Sequence, residues 1–180
     1  MFNLEELIVI IVRLLGALPV LKYAFIGSVL AVLIDLSDLF IISNLDLGGV
    51  KNYQNLDKFL DLIYMFTFLV VSFRWAKKEK YISIFLFLFR IIGFIIFEIT
   101  GSREVLLFFP NIFEFWFIFI SFLKLKNRNV QIKNKTILYV LIISFAFKIL
   151  QEWVLHWNKF LDNYAMGDIF SVIKDIFIFL

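Results

Sequence analysis

The sequence predicts an all-α fold, a polytopic bundle of transmembrane helices that forms one integral membrane domain over residues 1–180. Of the 180 residues, 62% are apolar and only 18% are charged, which is more apolar surface than one soluble domain can bury. Five segments contain the roughly 20 mainly apolar residues that a membrane span requires. No Gly/Ser-rich or Pro-rich linker separates them, so we expect a single domain.

The chain begins with an amphipathic segment. Within 4–18, Glu6 and Arg13 interrupt the apolar residues and fall on nearly the same helical face, and Pro19 ends the segment. This pattern predicts a helix that lies in the membrane interface, with a sixth span as the alternative. The tail 167–180 is amphipathic in the same way, and we expect it to lie on or against the membrane.

The five predicted spans are 23–43, 57–74, 81–100, 105–123 and 136–157. Pro110 lies inside the fourth span and has no backbone N–H to donate. We therefore expect the helix to kink or to begin again there, with Asn111 able to satisfy a freed backbone group.

Two loops contain most of the basic residues between spans, 74–80 and 124–135. Because short basic loops stay on the cytoplasmic side, both are predicted to be cytoplasmic, in the inner membrane of a bacterium. The same loops account for the formal charge of +3 and the pI near 9.1. We therefore expect the lipid bilayer as a partner and no nucleic acid, and a homo-oligomer or a larger membrane complex stays open.

Charged residues inside the predicted spans indicate the candidate site, because such charges are costly and usually face a bundle interior or a watery cavity. Asp35, Arg90, Glu114 and Lys148 each lie eight to ten positions from the outer end of a span. With the helical rise per residue, this places all four about 12–15 Å below the outer boundary. The sequence thus predicts a charge-balanced layer in the middle of the membrane.

A second, more acidic layer is predicted nearer the outer face. Its members are Asp38, Asp57, Asp61, Glu98, Glu104 and Glu152, together with the basic residues Arg103 and His156. Asp57, Arg103 and Glu104 would form an outer vestibule, and the rest would line the intramembrane site. Helical spacing supports this convergence, because the pairs Asp35/Asp38 and Asp57/Asp61 each fall on one helical face.

Three functions fit these patterns. The first is an outward-opening site that binds or transports a small cation, a solute or a lipid head group. The second is an enzyme acting on a lipid or polyprenyl phosphate, with Mg²⁺ or another divalent cation held by Asp35, Asp38, Asp57 and Asp61. The third is an accessory subunit of a membrane complex, in which the charges form structural ion pairs. The absence of cysteine from the sequence excludes disulfides, thiolate nucleophiles and Cys-type metal sites.

Overall fold

The computed structural model describes residues 4–37, 53–102, 105, 108–127 and 130–152. These residues form six α-helices: α1 Leu4–Ala17, α2 Ala24–Leu36, α3 Tyr53–Ser72, α4 Lys77–Thr100, α5 Ile112–Leu123 and α6 Asn134–Glu152. A 3-10 helix, Leu18–Leu21, joins α1 to α2. The part of the chain described contains no strand, so the predicted all-α class is confirmed.

Proline and glycine set several of the helix ends. Pro19 lies at the start of the 3-10 helix that follows α1, and Gly101 ends α4 in the left-handed conformation, with a φ of 66°. The expected interruption at Pro110 is confirmed, because α5 begins just after it at Ile112. Asn111 occupies the N-cap position, but its side chain makes no capping hydrogen bond and is used elsewhere in the structure.

Two of the described helices meet the length and composition of a membrane span: α4, with 24 residues, and 18 residues of α6, from Asn134 to Gln151. The helices α2 and α5 are apolar but have only 13 and 12 residues. The second span was predicted at 57–74; α3 covers most of it but does not meet the apolar criterion. The described helices therefore support a membrane protein, and fewer of them meet the criteria than the five or six spans predicted.

The helix α5 lies at the centre of the bundle and contacts α2, α3, α4 and α6. Its side chains Phe113, Trp116 and Phe117 are completely buried. The Phe117 ring stacks between Phe68 of α3, at 4.3 Å between centroids, and Trp75, at 5.0 Å. Aromatic packing of this kind contributes beyond the area that it buries, so α5 and α3 form the centre of the core.

The bundle has an apolar core but differs from a soluble protein in two ways: its outer surface is rich in large apolar side chains, and charged side chains are buried beside the core. Large apolar side chains are exposed on all six helices, including Phe85 and Ile99 on α4. Among the described residues, seven charged side chains are buried in the interior: Arg13, Asp61, Glu79, Arg90, Glu114, Lys124 and Lys148. In water, such charged groups are almost never fully buried unless they are paired.

Both predicted basic loops lie at the same end of the bundle. Arg74, in the turn between α3 and α4, donates a hydrogen bond to the Leu21 carbonyl at 2.9 Å. Lys78, at the start of α4, donates to the Asn134 side chain at the start of α6, at 2.7 Å. We call this the basic end.

Candidate functional site

A cluster around Arg13 joins three helices. The Arg13 guanidinium of α1 forms ion pairs with Asp35 of α2 and with Asp57 and Asp61 of α3. Its nitrogens lie 2.9 Å from Asp57 Oδ1 and 3.4 Å from Asp61 Oδ1. The same group donates to the backbone carbonyls of Asp57, at 3.1 Å, and Asp35, at 3.4 Å. Arg13 of α1 thus links α1 to both α2 and α3.

Two further cations reach this cluster from its two sides. Lys58 Nζ lies 2.6 Å from Asp57 Oδ2 and 3.7 Å from Asp61 Oδ2. Arg90 of α4 lies 3.8 Å from Asp61 Oδ2 and donates to the Phe109 carbonyl at 3.0 Å. Asp61 therefore lies within ion-pair distance of three cations. We call the set Arg13, Asp35, Asp57, Lys58, Asp61 and Arg90 the ion cluster.

Glu114, in the first turn of α5, is the centre of a second polar group. Tyr64 Oη and Asn111 Nδ2 each donate to Glu114 Oε2, at 3.2 Å in both cases. Asn111 Nδ2 also lies 3.4 Å from Tyr64 Oη. Glu114 is only 3% exposed and Asn111 only 2%. We call Tyr64, Asn111 and Glu114 the glutamate triad.

Two acceptor oxygens of the glutamate triad lack a hydrogen bond. Both donors reach Glu114 Oε2, and Glu114 Oε1 accepts no hydrogen bond from the described residues. Asn111 Oδ1 is likewise buried without a donor among them. Buried polar atoms are normally hydrogen-bonded, so two such acceptors in contacting side chains need an explanation.

A line of polar side chains along α3 connects the two groups. Asp57, Asp61 and Tyr64 follow one another at helical spacing and face the interior. Exposure falls along this line, from 17% for the Asp57 side chain to 11% for that of Asp61 and 4% for Tyr64. With the helical rise, the line extends about 10 Å from a half-buried end to a fully buried one.

Three of the predicted metal ligands lie close together. Asp35, Asp57 and Asp61 each offer one carboxylate oxygen, and these oxygens lie within 4.8 Å of one another. The guanidinium of Arg13 contacts all three side chains. A divalent cation at this position would therefore compete with a positive charge that belongs to the protein. Asp38, the fourth predicted ligand, lies outside the described residues.

The structure brings together most of the predicted intramembrane charges that it describes. Asp35, Asp61 and Arg90 belong to the ion cluster, and Glu114 lies within electrostatic range of Lys148, Asp61 and Arg90. Lys148 is buried and donates to the Gln151 side chain at 2.8 Å.

The remaining predicted site residues lie apart from these groups or outside the described part. Glu98 lies on the exposed surface of α4. Of the other predicted site residues, Asp38, Arg103, Glu104 and His156, with the side chain of Glu152, lie outside the described residues.

Arg13 is the main residue that the sequence analysis did not place in the site. It was assigned to the polar face of an interfacial helix, although it contacts more carboxylates than any other cation described. The sequence did contain a signal for Arg13, because it is an arginine within a mainly apolar segment. Arg90 was predicted to belong to the site by the same criterion. Lys58 was also missed, because it lies at the edge of a predicted span, where a solvated lysine is the usual case.

The fold and site define a class: an all-helical bundle with apolar side chains on its outer surface and a group of buried, ion-paired charges beside its apolar core. Comparisons of this chain with protein-family models, with curated proteins and with solved structures find no match. Its function must therefore be argued from its own residues.

Proposed function

We propose that this is a multi-pass membrane protein that binds a small cation at the glutamate triad and transports it, with the proton as the simplest case. The membrane assignment is supported by α4 and α6, which are long and apolar enough to span a bilayer. It is also supported by the bulky apolar side chains exposed on every described helix. Lipid tails solvate such a surface, whereas soluble proteins seldom expose large continuous apolar patches.

The observation that carries the cation proposal is the pair of buried acceptors, Glu114 Oε1 and Asn111 Oδ1. An acceptor is satisfied by a hydrogen-bond donor, by a proton of its own or by a cation. Carboxylate and amide oxygens are the types of ligand that a small, hard cation prefers. A neutral apolar solute would leave both oxygens unsatisfied.

The line Asp57, Asp61 and Tyr64 supplies a route to this position. It begins at the Asp57 carboxylate, which is 17% exposed and paired with Arg13 and Lys58, and ends at the hydroxyl that donates to Glu114. Chains of ionisable groups inside a membrane protein are typical of ion and proton pathways. Arg90, held between Asp61 and the Phe109 carbonyl, provides a positive charge that opposes passage of a second cation.

The test is flux into proteoliposomes under a membrane potential, read with an internal pH-sensitive dye and, for Na⁺ and K⁺, with ion-selective dyes. Glu114→Gln removes the charge and keeps the shape, so flux should fall to that of protein-free liposomes. Glu98→Gln is the matched control, because this glutamate is exposed on α4 and should leave flux unchanged. Equal flux in wild type and Glu114→Gln would refute the proposal.

The orientation is part of the same proposal: the basic end faces the cytoplasm of a bacterium, and the site opens outward. The clustering of both basic loops at one end supports it. The natural chain has no cysteine, so Lys77→Cys can be labelled without background. A membrane-impermeant maleimide should modify it in inverted membrane vesicles and not in intact cells; labelling only in intact cells would reverse the assignment.

A divalent-metal enzyme acting on a lipid phosphate is the second candidate, favoured by the three carboxylate oxygens of Asp35, Asp57 and Asp61. If a metal binds there, Mg²⁺ should raise the melting temperature of the wild type and have no effect on Asp57→Asn. No stabilisation by Mg²⁺ or Mn²⁺ would exclude this candidate.

A structural role is the third candidate. It is supported by the balance of four carboxylates, Asp35, Asp57, Asp61 and Glu114, against four cations, Arg13, Lys58, Arg90 and Lys148. An accessory subunit would show no flux of its own. Its stability would nonetheless fall when one member of these pairs is removed.

A further inference from the structure

A second site lies at the basic end, away from the ion cluster. A cavity of about 250 Å³ opens there between the 3-10 helix, the first turn of α2, the turn between α3 and α4, and the end of α5. Its charged lining consists of Lys22, Arg74 and Lys124. No acidic residue lines it within the described part of the chain, so the charged side chains that line the cavity are all positive.

The three cations reach the cavity from three separate elements, and hydrogen bonds position two of them, Arg74 and Lys124. Arg74 uses one of its five N–H donors for the Leu21 carbonyl, at 2.9 Å. Lys124, which is 5% exposed, donates to the Val130 carbonyl at 2.9 Å and lies 3.7 Å from Glu79. Each cation retains further donor capacity that can be directed at an anion.

Lys22 and Arg74 have no carboxylate partner among the described residues. The contact recorded for the Lys22 ammonium is with the Tyr23 ring, at 5.4 Å from the centroid. Since Lys124 is partly neutralised by Glu79, the uncompensated charge of the cavity comes from Lys22 and Arg74. This arrangement attracts an anion with several acceptor oxygens.

The start of α2 adds to this positive potential. Ala24, Phe25 and Ile26, the first turn of the helix, line the cavity, and Tyr23 at the N-cap makes no side-chain capping bond. Unpaired backbone N–H groups at a helix start carry a partial positive charge that favours phosphate. The start of α2 therefore adds to the positive potential that Lys22 and Arg74 create in the cavity. By itself the helix start would not form a binding site.

Apolar side chains at the mouth of the cavity indicate where the anion comes from. Ile26 and Leu125 line it and are 63% and 54% exposed. Trp75 also lines it, and tryptophan is typical of the level of lipid head groups. We infer that the cavity binds the phosphate group of an anionic phospholipid, with the acyl chains lying along the exposed apolar surface of α2 and α5.

The test is native mass spectrometry of the full chain in a non-ionic detergent, titrated with dioleoyl-phosphatidylglycerol. Wild type should retain one lipid molecule. The variant Lys22→Gln/Arg74→Gln should bind at least about tenfold more weakly, because two charge-assisted contacts to the phosphate are lost. Lys22→Gln alone leaves the hydrogen bond from Arg74 to the Leu21 carbonyl intact. This single variant should also bind the lipid more weakly than wild type, and its melting temperature should be unchanged.

The matched control is Lys77→Gln/Lys126→Gln, which removes two exposed charges from the same end without altering the cavity lining. Retained binding in this control supports the inference. Equal losses of lipid affinity in both double variants would mean that lipid is attracted to the basic end in general, and they would overturn the inference.

Phosphatidylcholine binding as tightly as phosphatidylglycerol would also overturn the inference. Displacement of the lipid by equimolar glycerol 3-phosphate would assign the cavity to a free phosphate ester instead and overturn the lipid assignment.

Discussion

Replacing Arg13 by Gln tests whether one side chain holds α1, α2 and α3 together. The substitution keeps much of the volume and removes the charge that contacts Asp35, Asp57 and Asp61. The Arg13 side chain is 5% exposed, and the three carboxylates are between 11% and 18% exposed. The variant therefore leaves three largely buried carboxylates with their central cation removed.

Removing one partner of a buried ion pair costs about 3–5 kcal/mol. Because the carboxylates retain some contact with solvent and Lys58 and Arg90 remain nearby, we expect a value near the lower limit, about 3 kcal/mol. In a chain of this size about 1 kcal/mol corresponds to 2–4 °C, so the melting temperature should fall by about 6–12 °C. The assay is thermal unfolding in detergent, followed by circular dichroism and intrinsic fluorescence.

A double-mutant cycle separates this charge effect from lost packing. Asp57→Asn removes one of the carboxylates that Arg13 neutralises, so it should cost less in the Arg13→Gln background than in wild type, with a coupling of about 1–3 kcal/mol. Lys77→Gln also removes one positive charge, but from an exposed side chain, so it should leave the melting temperature within about 1 °C of wild type. Strictly additive effects of Arg13→Gln and Asp57→Asn would refute the interpretation of Arg13 as the centre of the cluster.

Three further predictions concern packing. Phe117→Ala removes a fully buried ring between Phe68 and Trp75 and should cost about 3–5 kcal/mol, measured by thermal unfolding; a loss below about 1 kcal/mol would contradict its central position. Gly27→Ala places a Cβ 2.6 Å from the Pro19 carbonyl carbon, so it should cost about 1–3 kcal/mol; an unchanged melting temperature would show that the 3-10 helix can move aside. Trp116→Phe removes the 2.9 Å hydrogen bond to Ser83 and should cost about 1–2 kcal/mol, and Ser83→Ala should then add little to it.

Much of the bundle could be predicted from hydropathy alone, because a lipid-facing helix needs only an uninterrupted apolar segment. The interruption at Pro110 followed from the missing backbone donor. The number of spans could not be obtained in this way: α2 and α5 have 13 and 12 residues, since a turn at Ser37 ends α2 and Pro110 shortens α5. Helix ends depend on local backbone bonding that hydropathy does not report.

The depth that the sequence predicts for each charged residue indicated which of them lie near one another, but not which residues form pairs. Asp35, Arg90 and Glu114 were expected at one level, and the structure brings all three into neighbouring groups. Their partners depend on which helix faces pack, so Asp35 pairs with Arg13 and Glu114 accepts from neutral donors. The same limit applies to Glu79 and Lys124, which form a buried ion pair although both lie in segments predicted to be cytoplasmic loops.

The helix α3 explains how one small bundle can hold two polar sites of opposite character. Its first half carries Asp57 and Asp61 and faces α1, whereas its last turn leads into Arg74 and Trp75 at the cationic cavity. From Asp61 to Ser72 the helix advances about 16 Å, and the side chains Met65, Phe68 and Leu69 that lie between are buried and apolar. Charges separated by such an apolar layer do not neutralise each other through contact. Each site must therefore be balanced by its own partners or by a ligand. The ion cluster has its own cations, whereas Lys22 and Arg74 at the cavity have no carboxylate partner among the described residues, which is the charge that the inferred phosphate would balance.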